Sequence, residues 1–125
     1  MGNRFEGRGN VGSDPVLKFV DMAGGEKRAV CELRVYFDRQ VKDGDKWKEQ
    51  GGFWLNVSYW GKRGEQAGKV LVKGCRVSVV GMLVQESWAD KETGEEKTRL
   101  VLDAESVDID PVRVESVKFV DKRGE

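Results

Sequence analysis

The chain has 125 residues, with 22 basic and 22 acidic side chains, a net charge of zero and a hydrophobic fraction of 38%. This is enough for one small domain with a modest core, and the balanced charge argues against a surface coated in phosphate contacts, which needs clustered Lys and Arg. Histidine is absent, which excludes His-based acid–base catalysis and zinc sites of the Cys/His type.

The N-terminal stretch is polar, and Arg4 and Arg8 flank a first strand around Phe5. No leader or membrane-spanning run is visible, so a cytoplasmic protein without membrane contact is expected. Gly9–Pro15 forms a turn, with Asp14 expected to stabilise it ahead of Pro15. A short extended piece follows from Val16 to Met22, ending in Ala23-Gly24-Gly25. From Arg28 to Arg39 the alternation is clean. Ala29, Cys31, Leu33, Val35 and Phe37 make one face, and Val30, Glu32, Arg34, Tyr36 and Asp38 the other. Gln40–Gly51 is a charged loop around Trp47, which Lys46 and Lys48 flank.

Gly52–Trp60 is the most informative strand. Phe53, Leu55, Val57 and Tyr59 share a face that can be buried, whereas Trp54, Asn56, Ser58 and Trp60 share the opposite one. A solvated sheet face has no structural use for two indoles, but flat nucleic-acid bases stack on such a surface. The alternative use of the two indoles is an oligomer contact.

Between Gly61 and Leu71 lies the one plausible helix, weakened at Gly64 and Gly68 by about 1 kcal/mol each relative to alanine. Cys75–Val84 and Lys97–Ile109 read as two further strands, the second rich in Leu and Val and bent, with a charged loop, Glu86–Glu96, between them. Phe5, Phe19, Leu33, Val35, Phe37, Leu55, Val57, Val77 and Val79 are the expected core. Cys31 and Cys75 sit in apolar runs without metal spacing and read as reduced thiols. Val112–Val120 has the look of an additional strand able to pair with a barrel edge, in its own subunit or a neighbour's.

The expected fold is therefore all-β: a five-stranded OB-fold, a Greek-key barrel with one short helix between strands 3 and 4, spanning residues 1–110. Residues 111–125 form a C-terminal extension carrying the extra strand. A two-sheet sandwich is the competing architecture.

Four motifs in consistent order resemble the bacterial single-stranded DNA-binding protein (SSB) family. They are Gly9-Asn10-Val11-Gly12-Ser13-Asp14-Pro15 after the first strand; Phe53-Trp54 through Tyr59-Trp60-Gly61-Lys62; Lys73-Gly74 followed by Val77-x-Val79-x-Gly81; and Ser87-Trp88-Ala89-Asp90 with Thr93-Gly94. The resemblance implies an OB-fold, oligomers of paired barrels (a homodimer or homotetramer), and sequence-tolerant binding of single strands. It implies stacking at Trp54, Trp60 and Trp88. Departures are Gln85-Glu86-Ser87 where members carry a basic run, Val41 where many place another stacking Trp, and an end at Lys122-Arg123-Gly124-Glu125 in place of a linker with an acidic tip. By these departures the chain resembles a divergent, tail-less member.

The candidate site comprises Trp54, Trp60, Trp88 and Trp47 for bases, Tyr36 for a base, and Arg34, Lys62, Lys73, Arg76 and Arg4 for phosphates. For Lys62 and Lys73 a solvated surface charge, and for Trp47 packing onto the barrel, are the simpler alternatives. No phosphate loop, nucleophile elbow or interpretable carboxylate pair appears, so neither an enzyme nor a cofactor is expected. The leading expectation is binding and protection of single-stranded DNA in replication, recombination, repair or DNA transfer. The rival is an OB-fold protein-interaction module in a replication or recombination assembly, and stacking alone does not separate DNA from RNA.

Overall fold

Period-two alternation builds the long strands, and their apolar faces turn inward on one another. A computed structural model describes residues 2–122, in the order β1 (Asn3–Val11), β2 (Val16–Asp21), β3 (Lys27–Phe37), β4 (Gln40–Asp43), β5 (Lys46–Glu49), β6 (Phe53–Trp60), α1 (Gly61–Val70), β7 (Arg76–Ala89) and β8 (Glu96–Ile109). The main sheet runs β1-β7-β8-β6-β3-β2, and β1 also pairs with β3. That second pairing, Gly9 to Val11 against Val35 to Phe37, closes β1, β7, β8, β6 and β3 into a barrel with β2 left outside. Neighbouring strands are antiparallel except β6 and β8, which are parallel. A closed five-stranded barrel with a helix between its third and fourth strands is the OB-fold. Closure also decides against the sandwich.

Cys31, Leu33, Val35, Phe37, Leu55, Val57, Tyr59, Val77, Val79 and Leu102 fill the barrel. Each large side chain removed from water contributes about 1.5–3 kcal/mol before entropy is counted. Cys31 is fully buried and unbonded. Burial first, and then the neighbouring Glu32 carboxylate, push its thiol pKa up, so it stays protonated. Cys75 is partly buried and also outside any disulfide, its Sγ accepting the Val72 N–H at 3.3 Å.

Two expected core residues lie elsewhere. Phe19 is exposed, because β2 hangs beyond the closed barrel and α1 reaches it only at Leu17, opposite Gly68. Phe53 has the inward register but sits at the barrel mouth, half exposed, where its ring meets Phe5 and Phe37 at 6.0 Å each.

The charged segments are more ordered than their composition suggests. Gln40–Gly51 contains a two-stranded arm, β4 against β5. The segment after Gln85 is not a loop throughout: β7 runs on to Ala89 and β8 starts at Glu96. The connecting turn is held by the Asp90 carboxylate, which accepts the N–H groups of Glu92 and Thr93 at 2.8 and 3.2 Å. The expected C-terminal strand does not form within the chain. The Asp110 side chain caps a single 3-10 turn at Pro111–Arg113, and no described residue beyond Ile109 joins a sheet. Proline, which cannot donate to a ladder, ends the strand there. Residues 123–125 of the extension lie outside the described residues.

Helix α1 crosses the barrel against β3 and β6 despite its poor local propensity. Gly64 explains why: it is buried, and a Cβ there would fall against the carbonyl of Tyr59. The helix can approach so closely only because that side chain is missing. Propensity alone predicts that Gly64→Ala stabilises the protein by about 1 kcal/mol, whereas overpacking costs about 1–3 kcal/mol. Because the obstructing group is backbone, packing wins. Gly64→Ala is expected to lower the urea midpoint, and an unchanged or raised midpoint would show that the helix shifts freely.

Candidate functional site

The β3–β6 register builds the centre of the site. Tyr36 stands opposite Trp54, Arg34 opposite Asn56, Glu32 opposite Ser58 and Val30 opposite Trp60, all on the outer face of the barrel. Their sequence neighbours Val35, Leu33, Leu55 and Val57 point inward and are buried. The Trp54 ring is 5.2 Å from the Tyr36 ring, and the Arg34 guanidinium lies over it at 5.2 Å. Arg34 also donates to the Asn56 amide oxygen at 2.8 Å. Gly12, at the end of the first strand, gives the indole its seat: a Cβ there would come within 2.6 Å of Trp54 Cη2.

The same pattern recurs on both sides. The Arg28 guanidinium lies 5.3 Å from the Trp60 ring. On the β7–β8 hairpin, Arg99 lies 5.6 Å from Trp88 and pairs with Glu86 at 3.0 Å. The parallel pairing of Asn56 with Val101 brings that hairpin face beside β6. A groove of about 340 Å³ runs between, touched by Ser13, Lys18, Glu32, Arg34, Asn56 and Arg99. Three tryptophans, each covered by an arginine, therefore share one face. Arg28 and Arg34 have no carboxylate partner among the described residues.

Trp47 stands on the arm and is 66% exposed, so it does not pack onto the barrel. It shares an arm face with Glu49, because opposed residues of a ladder alternate sides (Lys42 with Trp47, Gln40 with Glu49). Glu49 accepts a short hydrogen bond from the Tyr36 hydroxyl. That bond, ahead of burial and the carboxylate's charge, raises the pKa of Tyr36. The arm is thus latched to the aromatic platform with its Trp47 face turned to the same side.

The remaining candidates separate. Arg76 is not free for a phosphate. It forms a bidentate pair with Asp38 at 2.8 and 3.3 Å, reaches Asn10 at 3.3 Å and lies 3.9 Å from Asp110. Its hydrogen bond holds the Asp38 carboxyl below the usual range. This pair anchors Asp38, two residues before the arm, to the barrel. Lys62 sits beside a cleft between α1 and β8, away from the groove residues. Lys73 is tied by its backbone N–H to Asp14 Oδ1 at 3.0 Å. Asp14 therefore joins two loops, a longer-range role than stabilising its own turn. Arg4 lies on β1, beyond β7, in an exposed contact with Glu105 at 3.4 Å. Sequence reasoning missed Arg28, Arg99 and Glu49. Arg28 was within reach, since it alternates onto the Arg34 face. Arg99 and Glu49 required the pairings of two hairpins.

Comparison with known proteins identifies the family and the fold. The model of the single-strand binding protein family matches residues 3–110. A single-stranded DNA-binding protein of Treponema pallidum is 33% identical over 101 residues, covering 81% of this chain and 53% of that protein. Single-stranded DNA-binding protein 1 of Nostoc is 31% identical over 101 residues, covering 81% and 76%. The chain thus spans about half the length of the first relative and three quarters of the second. The crystal structure of a small single-stranded DNA-binding protein from Streptomyces coelicolor superposes with a TM-score of 0.70 over 88% of this chain and 95% of that one, at 23% identity, a likeness of fold.

Two outcomes follow from the contacts. A depressed Asp38 pKa contributes stability that is present above the unfolded value, about 3.9, and is lost as pH falls through the folded value. Asp38→Asn should therefore cost about 1–2 kcal/mol at pH 7 and nothing once both forms are neutral. Urea unfolding of both proteins from pH 7 into acid measures this, and a difference that stays constant as the pH falls well below about 3.9 refutes it. Tyr36→Phe and Glu49→Ala should each speed amide exchange across residues 40–49 while leaving the barrel strands unchanged. Equal protection of the arm in both variants would show that the latch holds nothing.

Proposed function

The chain belongs to the single-strand binding protein family, and from that premise we propose that it binds single-stranded DNA along the outer face of β3, β6, β8 and β7, without regard to sequence and without catalysis. The observation that carries this reading is the row of three Trp–Arg pairs on one face. Relatives named for single-stranded DNA binding support it.

The energetics favour exchange. An exposed guanidinium over an indole is worth about 0.5–1 kcal/mol, whereas a stacked base is worth about 1–3 kcal/mol. A base can therefore displace each arginine from its ring, and the released cation meets the adjoining phosphate. Trp54 with Tyr36, Trp60 and Trp88 supply the π-faces. Arg34, Arg28 and Arg99 supply the charge, and Trp47 closes over the strand from the arm. Lys62, Lys73 and Arg4 act at most as peripheral charges in this scheme.

β1 pairs with β7 from Asn3 to Asn10 but with β3 only from Gly9, leaving the other edge of Asn3–Arg8 free among the described residues. Edge-to-edge pairing of two copies there gives a homodimer or, doubled, a homotetramer, so that one strand of DNA crosses several barrels. Protection of single strands in replication, recombination, repair or DNA transfer is the matching role. The acids around this face (Glu32 in the groove, Glu49 on Tyr36, Glu86 on Arg99) and the neutral net charge favour one other reading, docking of a partner protein on the aromatic face.

Salt separates the two. Each neutralised phosphate of a single strand adds about 0.7 to the slope of log Kobs against log salt. Three arginines predict a slope of about −2 for oligo(dT), reduced by about 0.7 in Arg34→Gln. Trp54→Ala should weaken binding by about 1–3 kcal/mol. Intrinsic tryptophan fluorescence reads both, with oligo(rU) as the competitor that ranks RNA against DNA. A folded protein whose fluorescence oligo(dT) leaves unquenched at low salt would end the proposal.

A further inference from the structure

A hollow larger than the groove lies elsewhere. It is an apolar cleft of about 570 Å³ between α1 and the end of β8, floored by Tyr59, Ala67, Val70, Leu71, Val107 and Ile109. Lys62 and Arg63 stand on its helix rim and Asp108 on its strand rim. Neither cation has a carboxylate partner among the described residues.

The same chain carries an apolar segment that covers nothing. Val117, Phe119 and Val120 are 66%, 86% and 89% exposed. Single apolar residues on a surface are ordinary, but a cluster of this kind marks a contact. Its charges match the cleft: Glu115 suits the Lys62–Arg63 rim, and Lys118, between the apolar residues, suits Asp108.

We infer that Val117–Val120 of one copy seat in the α1–β8 cleft of a second copy, reciprocally, as a two-fold exchange of C-terminal segments. The exit of the chain from β8 favours a neighbour over its own cleft. Asp110 donates its N–H to the Arg76 carbonyl at 2.8 Å, its carboxylate accepts from Val112 at 3.0 Å, and the Val114 N–H returns to Pro111 at 3.0 Å. These bonds turn the chain toward the Val72–Arg76 loop, where Arg113 and Val114 line a different hollow. Beyond that turn the six residues Glu115–Val120, extended, reach about 20 Å, the span over which the segment can meet an adjacent barrel.

The test mixes two full-length variants, Gln66→Cys on the cleft rim and Ser116→Cys beside the segment, with a short bismaleimide cross-linker. Both positions are exposed, so neither substitution threatens the fold. The expected result is a product of twice the monomer mass, at least tenfold above either variant alone, and lost when Phe119→Asp is added to the Ser116→Cys chain. Absence of that product overturns the inference. So does a double variant, Gln66→Cys with Ser116→Cys, that links only within one chain. Oligo(dT) binding is a separate readout that leaves this outcome unaffected.

Discussion

The eight-residue antiparallel register between β3 and β6 is the constraint on which the rest of this protein depends. Because side chains alternate with period two, the register that sends Leu33, Val35, Leu55 and Val57 into the barrel also sends Arg34, Tyr36, Trp54 and Asn56 out. A slip of one residue would exchange the two sets, burying a guanidinium and exposing the core. Hydrophobic burial thus sets the geometry of the aromatic face without any interaction among the aromatic residues themselves. The closure of β1 on β3 reinforces it, since Gly12, one residue past that pairing, becomes the seat of the Trp54 ring.

Electrostatics work locally on this scaffold. Zero net charge hides two different kinds of cation. Arg76 is committed to Asp38 and Asp110, where it fixes the base of the arm and the exit of the C-terminal segment together. Arg28 and Arg34 instead rest on indoles, where weak cation–π contacts hold them in place at little cost to release. Exposed ion pairs such as Lys18–Glu32 add little to stability, but they set the potential that a ligand meets. A neutral chain can therefore present a row of arginines beside its exposed indoles.

Much of this was legible in the sequence because it follows from alternation. The long strands, the single helix, the barrel order and the two faces of Gly52–Trp60 all came from apolar spacing. The failures share a cause. Phe19 and Phe53 have the alternation of core residues, yet β2 lies outside the closed barrel and Phe53 lies at its mouth. Val112–Val120 has strand-like composition, but after the Asp110–Pro111 turn no described residue joins a sheet of the same chain. The charged segments around Trp47 and Trp88 pair as hairpins because their partner strands are close in sequence, which polarity alone does not reveal.

By itself, then, the amino-acid sequence determined the fold class, the buried face and the presence of two indoles on an outer face, since each depends on the period of one strand. Only the tertiary structure decided which cations attend those indoles. Arg76 pairs with Asp38, whereas Arg28 and Arg99 lie over indoles and Glu49 holds the Tyr36 hydroxyl. The reason is physical: whether a charged side chain is free or committed depends on the groups opposite it in space, and residues 38 and 76, or 36 and 49, meet only once the strands have paired and the barrel has closed.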